Sequence, residues 1–558
     1  MSNETTASPT PAEHQRTHEA PGPGVWERDI DHETRPRTLL FTSLMRVAFT
    51  DGFDSFFSRY GLPLARAEFR SVDGWSYMRM IAVGETDKNA GSPPPPPLVM
   101  KVLSRVHPEL RRRAKAATAA MVDRLWLQDV EAWDLERDQW RRRIIGAQQV
   151  SFDDASDADV ASCVRAHYEQ AIAMATRHFE LLGPGLGIGI FLSACEDWGV
   201  DLDVAVAALG GGSESTSSTR RALRVIADAA GPALMEVDSL QALQSVADDV
   251  APLIEDYLDE FGWRSLNDDF DQPMLAERPA VLLRSVRAAA QGADIDRTMS
   301  HTVPNGVPTE ATARFQELLD DARRCLDCLD DNSGFTAWAT GATRRTLLEA
   351  GRRLVARDLL SSADHVFELQ LDEIEALLVG RHGPAASEAA LRSVDRRSSA
   401  EHPPPLRLGG EAVAPPPHDV FPRAMGQLVR AMGVYLGQRF EGAAGLADGS
   451  AQTGGEVRAE DVLVASGIGI DLGTCSGRAC VVDTPGEALE RLEPGDVLVC
   501  STTSPAYNAV FPIAAGVVTG FGGPLGHAAV TARELGIPAV VGVGNHRIVD
   551  GQRIEVVS

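Results

Sequence analysis

Lysine is almost missing from this 558-residue chain: Lys88, Lys101 and Lys115 are the whole set, and arginine supplies the rest of the 53 basic residues. None of the three stands in a Gly-x-x-x-x-Gly-Lys-Ser/Thr run, which excludes a P-loop nucleotide site. Cysteine is scarce as well. The seven, at 163, 195, 325, 328, 475, 480 and 500, are too scattered for a disulfide framework, so reduced thiols are expected. Cys325 and Cys328 have metal spacing, but no second pair or histidine follows at zinc-finger distance, and they read as two ordinary thiols on a helix. No apolar run approaches the ~18–20 residues that span a bilayer. The amino terminus has neither the basic nor the apolar region of a signal peptide. Acidic residues outnumber basic ones, 79 to 53, for a net charge of −26. Nucleic acids and anionic membranes are bound through cationic surfaces, so neither is an expected partner. These absences together predict a cytoplasmic protein.

What is present divides the chain. Residues 1–24 are rich in Ser, Thr, Pro, Glu and His without apolar periodicity, and read as a disordered tail. Residues 25–384 carry helical periodicity almost throughout, with helices expected at 39–62, 310–329 and 343–357 and a strand near 74–80. The five prolines before Leu98 predict an exposed extended loop. Alternation in Val366–Leu371 predicts a short strand, and Asp372 with Glu375 has capping spacing for the helix after it. The glycine-rich run from Gly183 to Gly189 reads as a helix-ending loop rather than a dinucleotide site. The carboxylates of Asp268, Asp269 and Asp271 read as solvated. Residues 385–462 are expected to be proline-rich and Gly/Ser/Gln-rich linkers around a short helix, 425–440. From 463 to 558 the composition turns to Val, Ile, Gly and Ala, predicting a compact α/β domain.

The most informative residue lies in that last domain. His527 follows Phe521-Gly-Gly-Pro-Leu-Gly526 and precedes Ala528–Leu535, a stretch of helical composition. This places an imidazole at a helix N-terminus, where unsatisfied N–H groups and the dipole attract anions and hold the ring neutral and nucleophilic. The run, with Gly495-Asp496-Val-Leu-Val, Phe511–Thr519 and Ile537–Gly542 around it, resembles the phosphohistidine loop of the swivelling domain in PEP-utilising enzymes. The loop departs from that pattern at Leu525 and Gly526, where a hydroxyl residue is common. Upstream, Trp26–His32, Tyr60–Pro63, Val72–Tyr77, Gly262–Arg264 and Asp364–Phe367 are similar, in the same order, to the helical acceptor domain of rifampicin phosphotransferase and phenylphosphate synthase. Nothing resembles the ATP-grasp domain or the barrel of those relatives.

The resemblance implies a mainly helical acceptor-type domain followed by an α/β swivelling domain. It implies a phosphotransferase component in which His527 carries the phosphoryl group and Arg533 stabilises its charge, with Gly522, Gly523, Gly526 and Ala528 cradling the phosphate. Arg264 and His32 are the expected substrate contacts. No cofactor is expected to bind directly; ATP and Mg2+ would act through an ATP-grasp-type phosphorylating subunit, and a small-molecule hydroxyl would be the acceptor. A non-catalytic binding or regulatory protein that keeps the fold is the alternative.

Overall fold

A computed structural model describes residues 18–30, 33–210, 213–265, 269–291, 302–440, 457–459, 462–470, 473–504, 507–508, 510–544 and 548–558. Most of the expected tail, His32 and the 445–455 stretch lie outside these residues. The amino-terminal part is mostly helical, as expected. A helix Leu39–Tyr60 starts on Thr38, whose hydroxyl accepts from Phe41 N–H, and stops at Gly61 in the left-handed conformation. A hairpin of Leu64–Val72 and Trp75–Ala82 joins Trp26–Arg28 and Arg407–Leu408 in a four-stranded antiparallel sheet.

The centre of the helical part is one helix of 45 residues, Thr312–Ala356. Sequence reading expected two helices here. The intervening glycines do not break the helix; they admit neighbours. A Cβ at Gly341 would lie 1.8 Å from the Trp263 carbonyl oxygen, and one at Gly351 would lie 2.3 Å from that of Ala363. The same logic corrects the reading of 183–189. That run is the start of a buried helix, Gly183–Asp197, not a loop. Each glycine faces a different neighbour: Gly183 the Tyr60 ring, Gly185 the Tyr435 ring, Gly187 Trp126 and Cys325, and Gly189 the backbone of Ala431. Intrinsic propensity disfavours glycine in a helix by about 1 kcal/mol each, and close packing of backbones overrides it. The stretch Asp157–Asp197 is apolar and long enough to pass a test for a membrane span, but most of it is buried inside this helical body.

Four further expectations are corrected. Residues 363–368 form a 3-10 turn, not a strand, and Val366, Phe367, Glu368 and Leu369 are all buried, which a period-two pattern cannot give. The capping pair of the next helix is Gln370 and Glu373 rather than Asp372 and Glu375; Gln370 N–H donates to the Glu373 carboxylate at 2.8 Å. The 385–462 segment contains a second helix, Ala386–Ser399, besides Arg423–Phe440. Its Arg396 is held by Asp271 at 3.1 Å and Glu368 at 2.7 Å. Asp269 and Asp271 are therefore not solvated: Asp269 is fully buried and accepts from Thr38 N–H at 2.9 Å and from the Thr38 hydroxyl at 2.6 Å. These carboxylates pin chain segments far apart in sequence, and among the described residues no cluster suits a metal.

The carboxy-terminal part is a six-stranded mixed sheet. Thr474–Val481, Val497–Cys500, Gly516–Thr519 and Ala539–Val541 run parallel in that order, with antiparallel edges Arg553–Val557 and Ile468–Gly469. Alternate residues serve opposite faces. Val497 and Val499 belong to the inner cluster with Ala479, Val518 and Val556, whereas Leu498 and Cys500 join the outer one. Strands buried on both faces need continuous apolar runs, which explains the Val-Leu-Val-Cys sequence. The outer face is covered by the helix His527–Leu535 and by helices Glu214–Ala230 and Pro279–Gln291 from the amino-terminal part, in one shared core. That core crosses the expected boundary at 463.

The glycine contacts generate a paired test. Gly189→Ala should lower stability by ~1–3 kcal/mol through overpacking against Ala431. Gly146→Ala, in a helix interior with nothing within 4 Å of the added methyl, should raise it by ~0.4–1 kcal/mol. Thermal denaturation of both variants checks the signs; equal effects would show that the helices do not meet at Gly189.

Candidate functional site

His527 is the first residue of the helix His527–Leu535, with Gly526 at the cap and no side chain capping it. The positive φ of Gly522, +111°, turns the chain between strand and loop. In an α-helix the first amides have no intrahelical acceptor. Here the N–H groups of His527, Ala528 and Ala529 find none among the described residues, although Ala528 and Ala529 are buried. Free amides at a helix N-terminus are groups that an anion can complete.

The ring is gripped at both nitrogens. Nδ1 lies 2.9 Å from the Thr503 hydroxyl, and Nε2 lies 2.9 Å from Asn508 Oδ1 and 3.2 Å from the Thr531 hydroxyl. Phe511 meets the ring edge-on at a centroid distance of 5.8 Å. Burial, and then the nearby Arg439 guanidinium, push the imidazole pKa down to about 3. Its neutral form is thus kept at any physiological pH, leaving one nitrogen lone pair for nucleophilic use. Two hydroxyls, those of Thr531 and Thr503, thus lie at the ring although none stands at 525–526. Thr531 is legible in hindsight, since i+4 on a helix returns to the same face. Thr503, Asn508 and Arg439 are not, because they arrive from other elements.

The loop is seated on the C-terminal end of helix Arg423–Phe440. Gly523 N–H donates to the Arg439 carbonyl at 3.0 Å and Leu525 N–H to that of Gln438 at 2.9 Å. These are last-turn carbonyls that the helix cannot satisfy itself. Gly526 N–H is engaged with the Gly523 carbonyl at 2.8 Å. The amides of Gly523 and Gly526 are therefore committed within the loop and its seat, and of the expected cradle the amides of Gly522 and Ala528 face no acceptor among the described residues. Leu525 is buried in the helical core near Leu326. The side chain of Arg533 bonds the Pro524 carbonyl and lines the seam with Leu525 and Leu326. Arg264 stands apart, half-buried beside Phe261 with its guanidinium 4.7 Å from the ring centroid, and lines a cavity of the helical part.

A sheet of this topology with a histidine-headed helix on its outer face defines a mobile-domain module. Residues 492–557 match the family described as "PEP-utilising enzyme, mobile domain". The chain is 29% identical to rifampicin phosphotransferase of Streptomyces sviceus over 326 residues, 54% of this chain and 33% of that protein. It is 26% identical to a chondramide synthase of Chondromyces crocatus over 97% of this chain but only 14% of the relative. Phosphoenolpyruvate synthase of Aeropyrum pernix is 41% identical over 99 residues, 17% of this chain and 12% of that enzyme. Residues 492–557 thus carry a mobile domain of the PEP-utilising enzyme type, and the chain spans a third or less of the length of these relatives.

The depressed imidazole pKa has a consequence for stability. A histidine with pKa about 3 when folded and ~6.5 when unfolded leaves the unfolded state binding more protons between those values. Stability should therefore rise with pH from about 3 to ~6.5 through this residue and be flat above. His527→Asn should flatten that slope in urea titrations at several pH values. An unchanged slope would mean that His527 is protonated normally.

Proposed function

We propose that the chain is a phosphotransferase component that carries a phosphoryl group on His527 to a small-molecule hydroxyl. The observation that carries this reading is a neutral imidazole at a helix N-terminus whose first three amides lack acceptors. Loading needs an uncharged ring nitrogen as nucleophile, and the loaded group brings negative charge. The three amides and the Arg439 guanidinium meet that charge without having to reorganise. Asn508 Oδ1 can only accept, so Nε2 carries the ring proton and Nδ1, facing the Thr503 hydroxyl, keeps the lone pair; Nδ1 is the nitrogen we assign to the phosphoryl group. On transfer the N–P bond breaks as an O–P bond forms, and the proton lost by the hydroxyl ends on the ring nitrogen.

ATP and Mg2+ enter this scheme through an ATP-grasp-type phosphorylating partner. Gly523, Leu525 and Arg533 serve to position the loop on its seat. The alternative, a binding or regulatory module, requires that the histidine go unused; its three hydrogen-bond partners and depressed pKa count against that.

With such a partner and ATP, the chain should acquire an acid-labile, base-stable label on His527. His527→Ala should abolish it without unfolding the protein. Thr503→Val should slow labelling about tenfold, the value of one hydrogen bond of ~1–1.5 kcal/mol to the ring. Mass spectrometry after alkaline trapping locates the label; a label elsewhere, or full labelling of His527→Ala, would leave the binding-module alternative standing.

A further inference from the structure

A cavity of about 170 Å³ opens in the helical part between helices Leu125–Gln148, Glu214–Ala230 and Thr312–Ala356. Its lining is polar and charged apart from Phe335. Almost every charge there is already engaged. Asp327 accepts from Ser215 N–H at 2.9 Å. Glu260 is paired with Arg141 at 2.9 Å, and Glu214 with Arg221. Asp331 Oδ2 accepts from the Trp133 indole at 2.8 Å and lies 3.5 Å from Arg137. Asp138 is exposed to solvent, and two further groups, which attract each other electrostatically, are left over. Arg264 Nε is shut off from solvent and donates to nothing, and no hydrogen bond from its side chain is found among the described residues. Asp331 Oδ1 likewise accepts from none of them.

Arg264 is half-buried, and its Nε, cut off from water without a partner, is costly unless a ligand on this guanidinium offsets it. Carboxylates are the group its planar fork matches best. An adjacent free carboxylate oxygen suits a hydroxyl donor. We propose that this cavity is the acceptor site and takes a small hydroxy carboxylate, with the carboxylate on Arg264 and the hydroxyl on Asp331. The name of acceptor site rests on the phosphocarrier reading; the binding chemistry does not. Burial also pushes the Asp331 and Asp327 carboxyls above the usual carboxylate range, which favours their taking part in hydrogen bonds with a hydroxyl. The placement fits delivery. Leu326, next to Asp327 on the long helix, lines the seam with Leu525, Val530 and Arg533 of the histidine loop and helix. A cavity of this size and polarity has no room for a large apolar acceptor.

Calorimetry on the full chain tests this with a panel of three- to six-carbon hydroxy acids, glycerate and malate among them, against glycerol and ethanolamine. At least one hydroxy acid should bind at one site, tenfold or more tighter than either control. Arg264→Gln should weaken it at least tenfold, and Arg264→Lys should restore part of the loss. His527→Ala should bind as the unaltered chain does, so a failed phosphocarrier would not disturb the result. No binding by any hydroxy acid, equal binding of glycerol, or a preference for ethanolamine, drawn by the carboxylates that outnumber arginines in the lining, would overturn the proposal.

Discussion

An imidazole that must stay uncharged while surrounded by polar groups is the constraint on which the carboxy-terminal domain depends. Neutrality comes from burial, and burial alone would strand two ring nitrogens without partners. Thr503, Asn508 and Thr531 resolve that conflict by offering groups that can donate or accept without carrying charge. A carboxylate at any of these positions would favour the imidazolium and remove the lone pair. The Arg439 guanidinium works in the same direction as burial. Arg439 is anchored by its guanidinium to the Tyr435 hydroxyl at 2.9 Å, and its carbonyl seats the loop. One residue thus ties the electrostatics of the ring to the position of its loop.

The seat is rigid because of how the helical part packs. Helix Arg423–Phe440 lies against Gly183–Asp197, with Gly189 at Ala431 and Gly185 at Tyr435. That glycine face sets the height of the helix whose last carbonyls receive Gly523 and Leu525. Gly183–Asp197 in turn packs on Thr312–Ala356, which carries Leu326 at the loop and Asp327 and Asp331 in the cavity. A change in the glycine face would move the seat and the cavity differently, and so alter the path between them.

Local patterns in the sequence pointed to the histidine, the helix after it and the change of composition toward a buried sheet, since each is written in neighbouring residues. The errors have a common origin in long-range packing. Gly183–Gly189 reads as a loop because propensity knows nothing of Tyr60, Tyr435 and Ala431. Asp269 and Asp271 read as solvated because their partners, Thr38, Arg35 and Arg396, are more than a hundred residues away. Ala386–Ser399 hides in a polar composition and buries only Ala389, Ser393 and Ser399, too narrow a stripe to give a clear period. At the site itself, the missing hydroxyl at 525–526 looked like a defect, and only the fold shows hydroxyls arriving from Thr503 and Thr531.

Leu525 then has a reason of its own. A hydroxyl there would face the helical core, where Leu525 is packed among apolar side chains next to Leu326. An apolar residue favours the seated position of the loop, and the amide of that same residue is spent on Gln438. On the phosphocarrier reading proposed above, seating and phosphate binding draw on different parts of one loop: Gly523 and Leu525 hold the seat, while His527, Ala528 and Ala529 would offer their amides to the anion. Because no donor is shared, filling the anion receptor need not cost the loop its seat. Whatever releases the loop must act on the apolar contact of Leu525 and on two backbone hydrogen bonds, not on the charge at the imidazole.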